Sequence, residues 1–400
     1  MAKQSKYFIL LVFLLSLFTF QLLIQSVSAA STYRFNWSYP ASDAIYSVAI
    51  SADGQYIVVG SDDYNIYFFQ RTSNAPVWTY TAGDYVEHVA ISANGQYIAA
   101  GSWDSNVYLF EKTSNATLWS YSTVNVVTSV AISADGRYIA AGGWNKNVYL
   151  FEKTSNATLW SYPTGNVVDS VAISADGRYI AAGSEDDNVY FFQNTSSTPH
   201  WSYLTGNDIV SVAISADGRY IVAGSEDDNV YFFQNTSSTP QWSYLTGNDI
   251  VSVAISADGR YIAAGSYDNN IYFFQKTSNT TLWSYSTGYA VESVAVSADG
   301  QYIVATGEDH YVHFFQKTSN ATLWSYSIGS DIGYKVAISA NGQYVAAGST
   351  FFHELYFFSR NPEGSGGVPF VNPCLLLIAL IAISVLSYRT KRQKFNFEYL

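Results

Sequence analysis

The sequence predicts an all-β fold, a β-propeller of eight four-stranded antiparallel blades, on three observations. The first is a unit of about 41 residues that recurs along most of the chain. The second is a glycine that recurs once per unit, at Gly54, Gly95, Gly136, Gly177, Gly218, Gly259, Gly300 and Gly342. The third is a tryptophan with the same spacing, at Trp37, Trp78, Trp119, Trp160, Trp201, Trp242, Trp283 and Trp324. A strict period of this length is typical of repeat architectures.

Each unit contains four short apolar runs separated by turn residues. In one unit they span residues 129–133, 138–142, 147–152 and 158–162, and they are rich in Val, Ile, Tyr, Phe and Trp, which favour strands. The first two runs are joined by Ala-Asp-Gly or Ala-Asn-Gly, which indicates a hairpin. The third run, such as NVYFFQ, does not alternate between apolar and polar residues. This pattern predicts a strand buried on both faces, as in a propeller blade.

The order of the repeats predicts how the ring closes. Trp37 precedes the first glycine, so the strand around it has no preceding strands of its own. The last unit has three strands, at residues 334–339, 344–348 and 355–358, and lacks a fourth. We expect residues 34–39 to supply that outer strand, because an open ring leaves an unpaired apolar edge. The propeller is predicted to span residues 31–360.

The N-terminal segment predicts export. Lys3 and Lys6 precede an apolar run, and small residues follow before Ala29 and Ala30. This is the pattern of a signal peptide over residues 1–30, with an uncleaved anchor as the alternative.

The C-terminal segment predicts a membrane anchor. Residues 370–388 contain no charge and are long enough to span a bilayer once. A Gly- and Pro-containing linker at residues 361–369 precedes them, and four basic residues follow, Arg389, Lys391, Arg392 and Lys394. The positive charges predict that residues 389–400 form a cytoplasmic tail, with the propeller on the outer side of the cell membrane.

The charge of the chain argues against two classes of partner. The formal net charge is −12. Without the two lysines of the N-terminal segment and the net three positive charges of the tail, residues 31–388 carry −17. Nucleic acids and anionic membrane surfaces are therefore not expected to bind. The single cysteine, Cys374, excludes an intrachain disulfide.

Two halves of the repeat resemble known families. SVAISADGRYIAAGS is similar to the first strands of WD-type repeats, although the WD dipeptide is missing. YLFEKTSNATLWSY resembles the quinoprotein-like (PQQ-type) repeat, in which a glycine lies four residues before a docking tryptophan. Asn115, Asn156, Asn279 and Asn320 hold that glycine position here. The resemblance implies a propeller over roughly residues 34–358 and leaves the function open.

Seven N-x-[ST] sequons predict N-glycosylation of an exported chain. They are Asn36, Asn115, Asn156, Asn194, Asn235, Asn279 and Asn320. Six fall in the turn between the third and fourth strands, and their alternative interpretation is an ordinary turn copied with the repeat. Sugars there would mask one face of the ring.

The turns between the second and third strands vary from blade to blade and are expected on the opposite face. A candidate ligand face contains Tyr64, Trp103, Asp104, Trp144, Phe351 and Phe352. A candidate acidic face contains Glu185, Asp186, Asp187, Glu226, Asp227 and Asp228. The aromatic residues suggest a platform for a glycan or protein, or else cover blade edges. The carboxylates suggest Ca²⁺ binding, or else a solvated acidic surface.

The sequence does not favour catalysis. The five histidines recur in no pattern, and His310 and His313 are expected to point to opposite faces of one strand. The chain lacks the paired cysteines that the resemblance associates with the quinone cofactor. We therefore predict a non-catalytic, cofactor-free cell-surface module that binds an extracellular protein or glycan. A quinone-dependent oxidoreductase and an envelope protein-assembly scaffold are the alternatives.

Overall fold

In a computed structural model, residues 33–329 and 334–360 are described, and they form eight four-stranded antiparallel sheets. The predicted eight-bladed propeller is confirmed. No helix among these residues is long and apolar enough to cross a membrane. The predicted signal peptide (1–30), linker (361–369), transmembrane helix (370–388) and tail (389–400) lie outside the described residues.

The strands are numbered in chain order, and each of blades 1 to 7 uses four consecutive strands. Blades 1 and 2 contain β2 (Ile45–Ile50), β3 (Tyr56–Ser61), β4 (Asn65–Gln70), β5 (Trp78–Thr81), β6 (Val86–Ile91), β7 (Tyr97–Ser102), β8 (Asn106–Glu111) and β9 (Thr117–Ser122). Blades 3 and 4 contain β10 (Val127–Ile132), β11 (Tyr138–Gly143), β12 (Asn147–Glu152), β13 (Thr158–Pro163), β14 (Val168–Ile173), β15 (Tyr179–Ser184), β16 (Asn188–Gln193) and β17 (Trp201–Leu204). Blades 5 and 6 contain β18 (Ile209–Ile214), β19 (Tyr220–Ser225), β20 (Asn229–Gln234), β21 (Trp242–Leu245), β22 (Ile250–Ile255), β23 (Tyr261–Ser266), β24 (Asn270–Gln275) and β25 (Thr281–Ser286). Blade 7 contains β26 (Val291–Val296), β27 (Tyr302–Gly307), β28 (Tyr311–Gln316) and β29 (Ser319–Ser327).

Blade 8 is assembled from both ends of the propeller. Its strands are β30 (Tyr334–Ile338), β31 (Tyr344–Ser349), β32 (Glu354–Arg360) and β1 (Tyr33–Pro40). β1 pairs antiparallel with β32, with Cα partners running from Tyr33–Arg360 to Pro40–Glu354. The predicted closure of the ring by the N-terminal strand is therefore confirmed.

The core lies between neighbouring blades. The third strand of each blade is buried on both faces, as the missing alternation predicts; in β16, Phe191 and Phe192 are fully buried. The periodic tryptophan joins adjacent blades. Trp160 Nε1 donates a hydrogen bond of 2.9 Å to the backbone oxygen of Asn194 in the next blade. The equivalent bonds of Trp37, Trp78, Trp119, Trp201, Trp242 and Trp283 bring the number of blade junctions held by a satisfied indole N–H group to seven among the described residues.

A closed circle of eight backbone hydrogen bonds surrounds the central channel at the Ala-Asp-Gly turns. In each bond, the N–H of the turn alanine donates to the carbonyl of the equivalent alanine in the next blade, over 2.9–3.0 Å. The alanines are Ala52, Ala93, Ala134, Ala175, Ala216, Ala257, Ala298 and Ala340, and the bond from Ala340 to Ala52 completes the circle.

A second set of hydrogen bonds joins the inner strands of neighbouring blades at seven of the eight junctions in the described part of the chain. The serine two residues after the start of an inner strand accepts a hydrogen bond from a valine N–H of the next blade, as Val171 donates to Ser129 Oγ over 3.0 Å. His88 takes this role in blade 2 through Nδ1. Lys335 occupies the position in blade 8, and its ammonium group cannot accept a hydrogen bond. The junction between blades 8 and 1 therefore differs from the others.

Candidate functional site

One face of the ring carries the turns between second and third strands together with the links that join successive blades. Trp103 N in such a turn donates to Tyr85 O in the link before it over 2.8 Å, and Glu226 N donates to Asp208 O over 2.9 Å. We call this surface the turn–link face. It contains both sets of residues that the sequence singled out.

Four aromatic side chains form a continuous arc on blades 1 to 3 of this face. Ring centroids are 5.5 Å apart between Tyr64 and Tyr85, between Tyr85 and Trp103, and between Trp103 and Trp144. Tyr64, Trp103 and Trp144 are 40%, 37% and 45% exposed. These four residues are called the aromatic arc. The sequence hypothesis included three of them and missed Tyr85, which lies in a link.

Phe351 and Phe352 form a separate exposed pair in blade 8. Their ring centroids are 5.6 Å apart in an edge-to-face arrangement. Among the described residues, no ring contact joins this pair to the aromatic arc.

Three carboxylates among the candidate residues accept hydrogen bonds that stabilise the turns of their own blades. Asp227 Oδ2 accepts hydrogen bonds from Tyr231 Oη at 2.6 Å and from Gly206 N of the preceding link at 2.8 Å, while Oδ1 accepts from Asn229 N at 3.0 Å. Asp104 and Asp186 make the equivalent contacts. Their bonds link turn, third strand and inter-blade link, so these aspartates are structural elements of the turn–link face.

The other four acidic candidates divide into two pairs. Asp187 and Asp228 have positive φ values of 66° and 67° and complete their turns. At Glu185 and Glu226, burial and the neighbouring Asp208 raise the pKa of each carboxyl. No described group of three or more His, Cys, Asp or Glu side chains has an arrangement that holds a metal ion. The calcium hypothesis gains no support from these residues.

Each of blades 1 to 7 has a β-bulge that places one residue at the mouth of the central channel. In each of blades 1 to 7 the register of the first two strands shifts by one residue, as between Val168 and Ser170 in blade 4. The extra residue of each bulge lines a cavity of about 440 Å³: Tyr46, Glu87, Thr128, Asp169, Val210, Val251 and Glu292. Lys335 of blade 8 lines the same cavity, which we call the channel mouth. Bulges frequently re-aim side chains beside functional sites.

The channel continues below the mouth between the inner strands. The Val-Ala-Ile segments of the inner strands line a cavity of about 480 Å³, with Val-Ala-Val in blade 7. The channel therefore carries charged side chains at its mouth, and below the mouth it is lined by Val, Ala and Ile residues together with His88.

The charges of the channel mouth are unevenly neutralised. Burial, then the charges of Glu185, Asp208 and Glu226, raise the pKa of Asp169 to about 7. Burial raises the pKa of Glu292, and the nearby Lys335 opposes that rise. Burial, then Lys335, lowers the pKa of His88 to about 4. Lys335 thus affects the pKa of Glu292 in blade 7 and of His88 in blade 2, whereas it is not among the charges that shift the pKa of Asp169.

The aromatic arc meets the channel mouth at Glu87. Trp103 Nε1 donates a hydrogen bond of 2.8 Å to Glu87 Oε2. Near it, burial and then Asp43 and Glu87 raise the pKa of Asp62 to about 6. The arc and the mouth therefore form one surface with an excess of carboxylates.

The sequons lie on the opposite face, where the turns between third and fourth strands emerge. Asn156 Nδ2 donates over 3.1 Å to Ser120 O of the preceding blade, and Asn115, Asn279 and Asn320 do the same in their blades. All four side chains are exposed, Asn36 is exposed in β1, and Asn194 and Asn235 are half-buried.

Comparisons with known proteins agree with this architecture. A family model described as WD domain, G-beta repeat matches residues 33–70, 74–111, 115–152 and 278–316. A model described as outer membrane protein assembly factor BamB, of the PQQ type, matches residues 144–265. The chain is a propeller of WD and PQQ-type repeats. No curated protein matches it.

Each WD match in this propeller starts near the outer strand of one blade and ends at the third strand of the next. The match at 74–111 covers β5 to β8, for example. The sequence repeat is therefore offset from the blade by one strand, which is the offset that lets β1 complete blade 8.

Blade 7 of the WD- and PQQ-repeat propeller replaces the aspartate-bonded tyrosine by a histidine. His313 Nε2 lies 2.6 Å from Asp309 Oδ2, and Nδ1 lies 3.0 Å from Ser325 Oγ. His310 lies in the preceding turn with φ 69°, not on the strand as the sequence analysis expected. His313 therefore has the structural role of the tyrosine in other blades. The repeat pattern does not reveal this role, because the residue type differs at this position.

The PQQ-type resemblance raises the question of the quinone cofactor. Pyrroloquinoline quinone carries three carboxylic acid groups. The channel mouth offers Glu87, Asp169 and Glu292 against the single Lys335. Like charges in a half-buried site repel, so these residues do not fit that cofactor.

Proposed function

We propose that this propeller is a non-catalytic interaction module whose partner binds at the aromatic arc of the turn–link face. The observation that carries the proposal is the continuous contact of four rings, of which Tyr64, Trp103 and Trp144 are at least 37% exposed. Exposed aromatic clusters mark interaction surfaces, because tyrosine and tryptophan combine a large apolar area with a hydrogen-bonding group. The WD and PQQ-type repeats support a scaffold or protein-binding role.

The partner is an extracellular protein or glycan, and the propeller is held on the outer side of a membrane. The apolar segment at residues 370–388 with basic residues after it, and the export pattern at residues 1–30, support this topology. The sequons on the opposite face support a glycosylated surface that leaves the turn–link face free. Protease digestion of intact cells, with and without glycosidase treatment, tests the topology. Protection of the propeller from protease would contradict it.

The binding role is tested with the purified full-length protein on glycan and cell-surface arrays. A Trp103→Ala/Trp144→Ala double variant removes half of the aromatic arc. Tyr289→Ala is the matched control, since Tyr289 is 59% exposed and has no ring contact with described residues. We expect the double variant to lose binding and the control to retain it. Equal binding by all three proteins would place the function elsewhere.

A second candidate is a scaffold for envelope protein assembly. The match of residues 144–265 to a family model described as an outer membrane protein assembly factor favours it. Cross-linking of intact membranes followed by identification of partners tests this role. Recovery of membrane proteins undergoing assembly would favour it over surface adhesion, and recovery of mature surface ligands would favour the first proposal.

A further inference from the structure

The chemistry of the channel mouth identifies the kind of partner, an inference that rests on the proposed function. We infer that the channel mouth binds a basic side chain, a lysine or arginine, carried by a protein partner whose neighbouring residues contact the aromatic arc.

The first argument is unbalanced charge around Asp169. Its carboxylate lines the channel mouth, half-buried, and forms no ion pair within 4.0 Å with any cation in the described part of the chain. Glu185, Asp208 and Glu226 add negative charge on the same side. A cation supplied from outside neutralises this group, and complementary charge sets the choice of partner.

The second argument is the shape and lining of the cavity. About 440 Å³ admits a side chain or a short extended segment and excludes a folded domain. Val210 and Val251 occupy the bulges of the next two blades after that of Asp169 and provide apolar wall. Lysine and arginine have long apolar stems that end in a charged group, so they match an apolar wall beside a carboxylate.

The third argument is the continuity of the channel mouth with the aromatic arc. Trp103 donates a hydrogen bond to Glu87 at the edge of the mouth, so a segment that contacts the indole can reach into the mouth. Cations are also attracted to the faces of aromatic rings. A neutral glycan matches the aromatic arc but carries no cation for the channel mouth. The arc and the mouth together therefore favour a basic protein segment.

The test uses the full-length protein and capped octapeptides with a central lysine or arginine. The same peptides with norleucine or glutamate in the centre measure the contribution of charge. Binding is followed by isothermal calorimetry and by tryptophan fluorescence. We expect the basic peptides to bind, the norleucine peptide to bind at least about tenfold more weakly and the glutamate peptide not to bind. Affinity should fall with ionic strength and rise with pH through the titration of Asp169.

Three variants locate the site. Asp169→Asn should weaken binding of the basic peptides at least about tenfold. Lys335→Ser, which restores the residue found in most blades, should strengthen it by removing the competing cation. Asp217→Asn is the matched control on the opposite face, where Asn94 and Asn341 fill the same turn position in other blades. We expect this control to bind like the wild type.

The outcomes separate the inference from the proposed function. Equal binding of basic and glutamate peptides, or full binding by Asp169→Asn, would overturn the inference. Loss of array binding in the Trp103→Ala/Trp144→Ala variant without any basic-peptide binding would keep the proposed function and reject a basic partner. Absence of both would reject both.

Discussion

A single methyl group placed at Gly136 should measure how tightly adjacent blades are joined. Gly136 has φ 73°, and a Cβ there would lie 2.3 Å from Cδ2 and 2.8 Å from Cγ of Tyr97 in the preceding blade. Lys153 Nζ lies 4.4 Å from the centre of the same ring. The ring therefore has little freedom to move away.

The expected cost has two parts. A Cβ in the left-handed region costs about 1–2 kcal/mol, offset by about 0.4–1 kcal/mol because alanine restricts the unfolded chain. Overpacking against Tyr97 adds about 1–3 kcal/mol. We expect Gly136→Ala to lower the free energy of unfolding by about 2–4 kcal/mol.

Gly288→Ala isolates the conformational part. Gly288 has φ 84°, and a Cβ there meets no atom within 4 Å. Its substitution should cost about 1 kcal/mol or less. Urea unfolding of the full-length proteins, followed by tryptophan fluorescence, compares the two midpoints at unchanged slope. Equal shifts for the two variants would refute the packing argument, because only Gly136 has the neighbouring ring.

Three other substitutions test the hydrogen bonds and the buried charge described above. Tyr190→Phe, which removes the 2.7 Å bond to Asp186, should lower the free energy of unfolding by about 1.5–3 kcal/mol in the same urea assay. Lys335→Ser should raise it by about 1 kcal/mol, since a serine there accepts the N–H of Val48 as in other blades; no change in midpoint would contradict this. Asp169→Asn should stabilise more at pH 8 than at pH 5. The folded-state pKa of about 7 exceeds the unfolded value of about 3.9, so the wild type loses stability as the pH rises between them. A pH-independent difference between variant and wild type would contradict this.

The sequence predicted the fold because the signals that define a blade are local and repeated. Hairpin residues, strand composition and the doubly apolar third strand identify each blade from about 41 residues. The position of Trp37 before the first glycine was sufficient to predict that β1 pairs with β32. Local patterns thus determined both the blades and the closure of the ring.

The candidate site was predicted less completely because it depends on contacts between repeats. Tyr85 joins the aromatic arc only because a link packs beside a turn. Asp186 and Asp227 resemble free surface carboxylates in the sequence, yet each accepts a tyrosine hydroxyl four residues later. The sequence shows the residue types but not which of them the fold uses for its own hydrogen bonds.

The bulges explain why a nearly uniform repeat can carry one specific site. The prediction began the first strand of blade 3 at Ser129, whereas β10 starts at Val127 and the residue between them, Thr128, is the bulge. The alanine that bonds in the circle is the same residue type in all eight blades. The seven bulge positions instead carry five residue types, and all of them line the channel mouth. A bulged side chain is free of ladder pairing, so each blade can present different chemistry to the channel without changing its bonds to its neighbours.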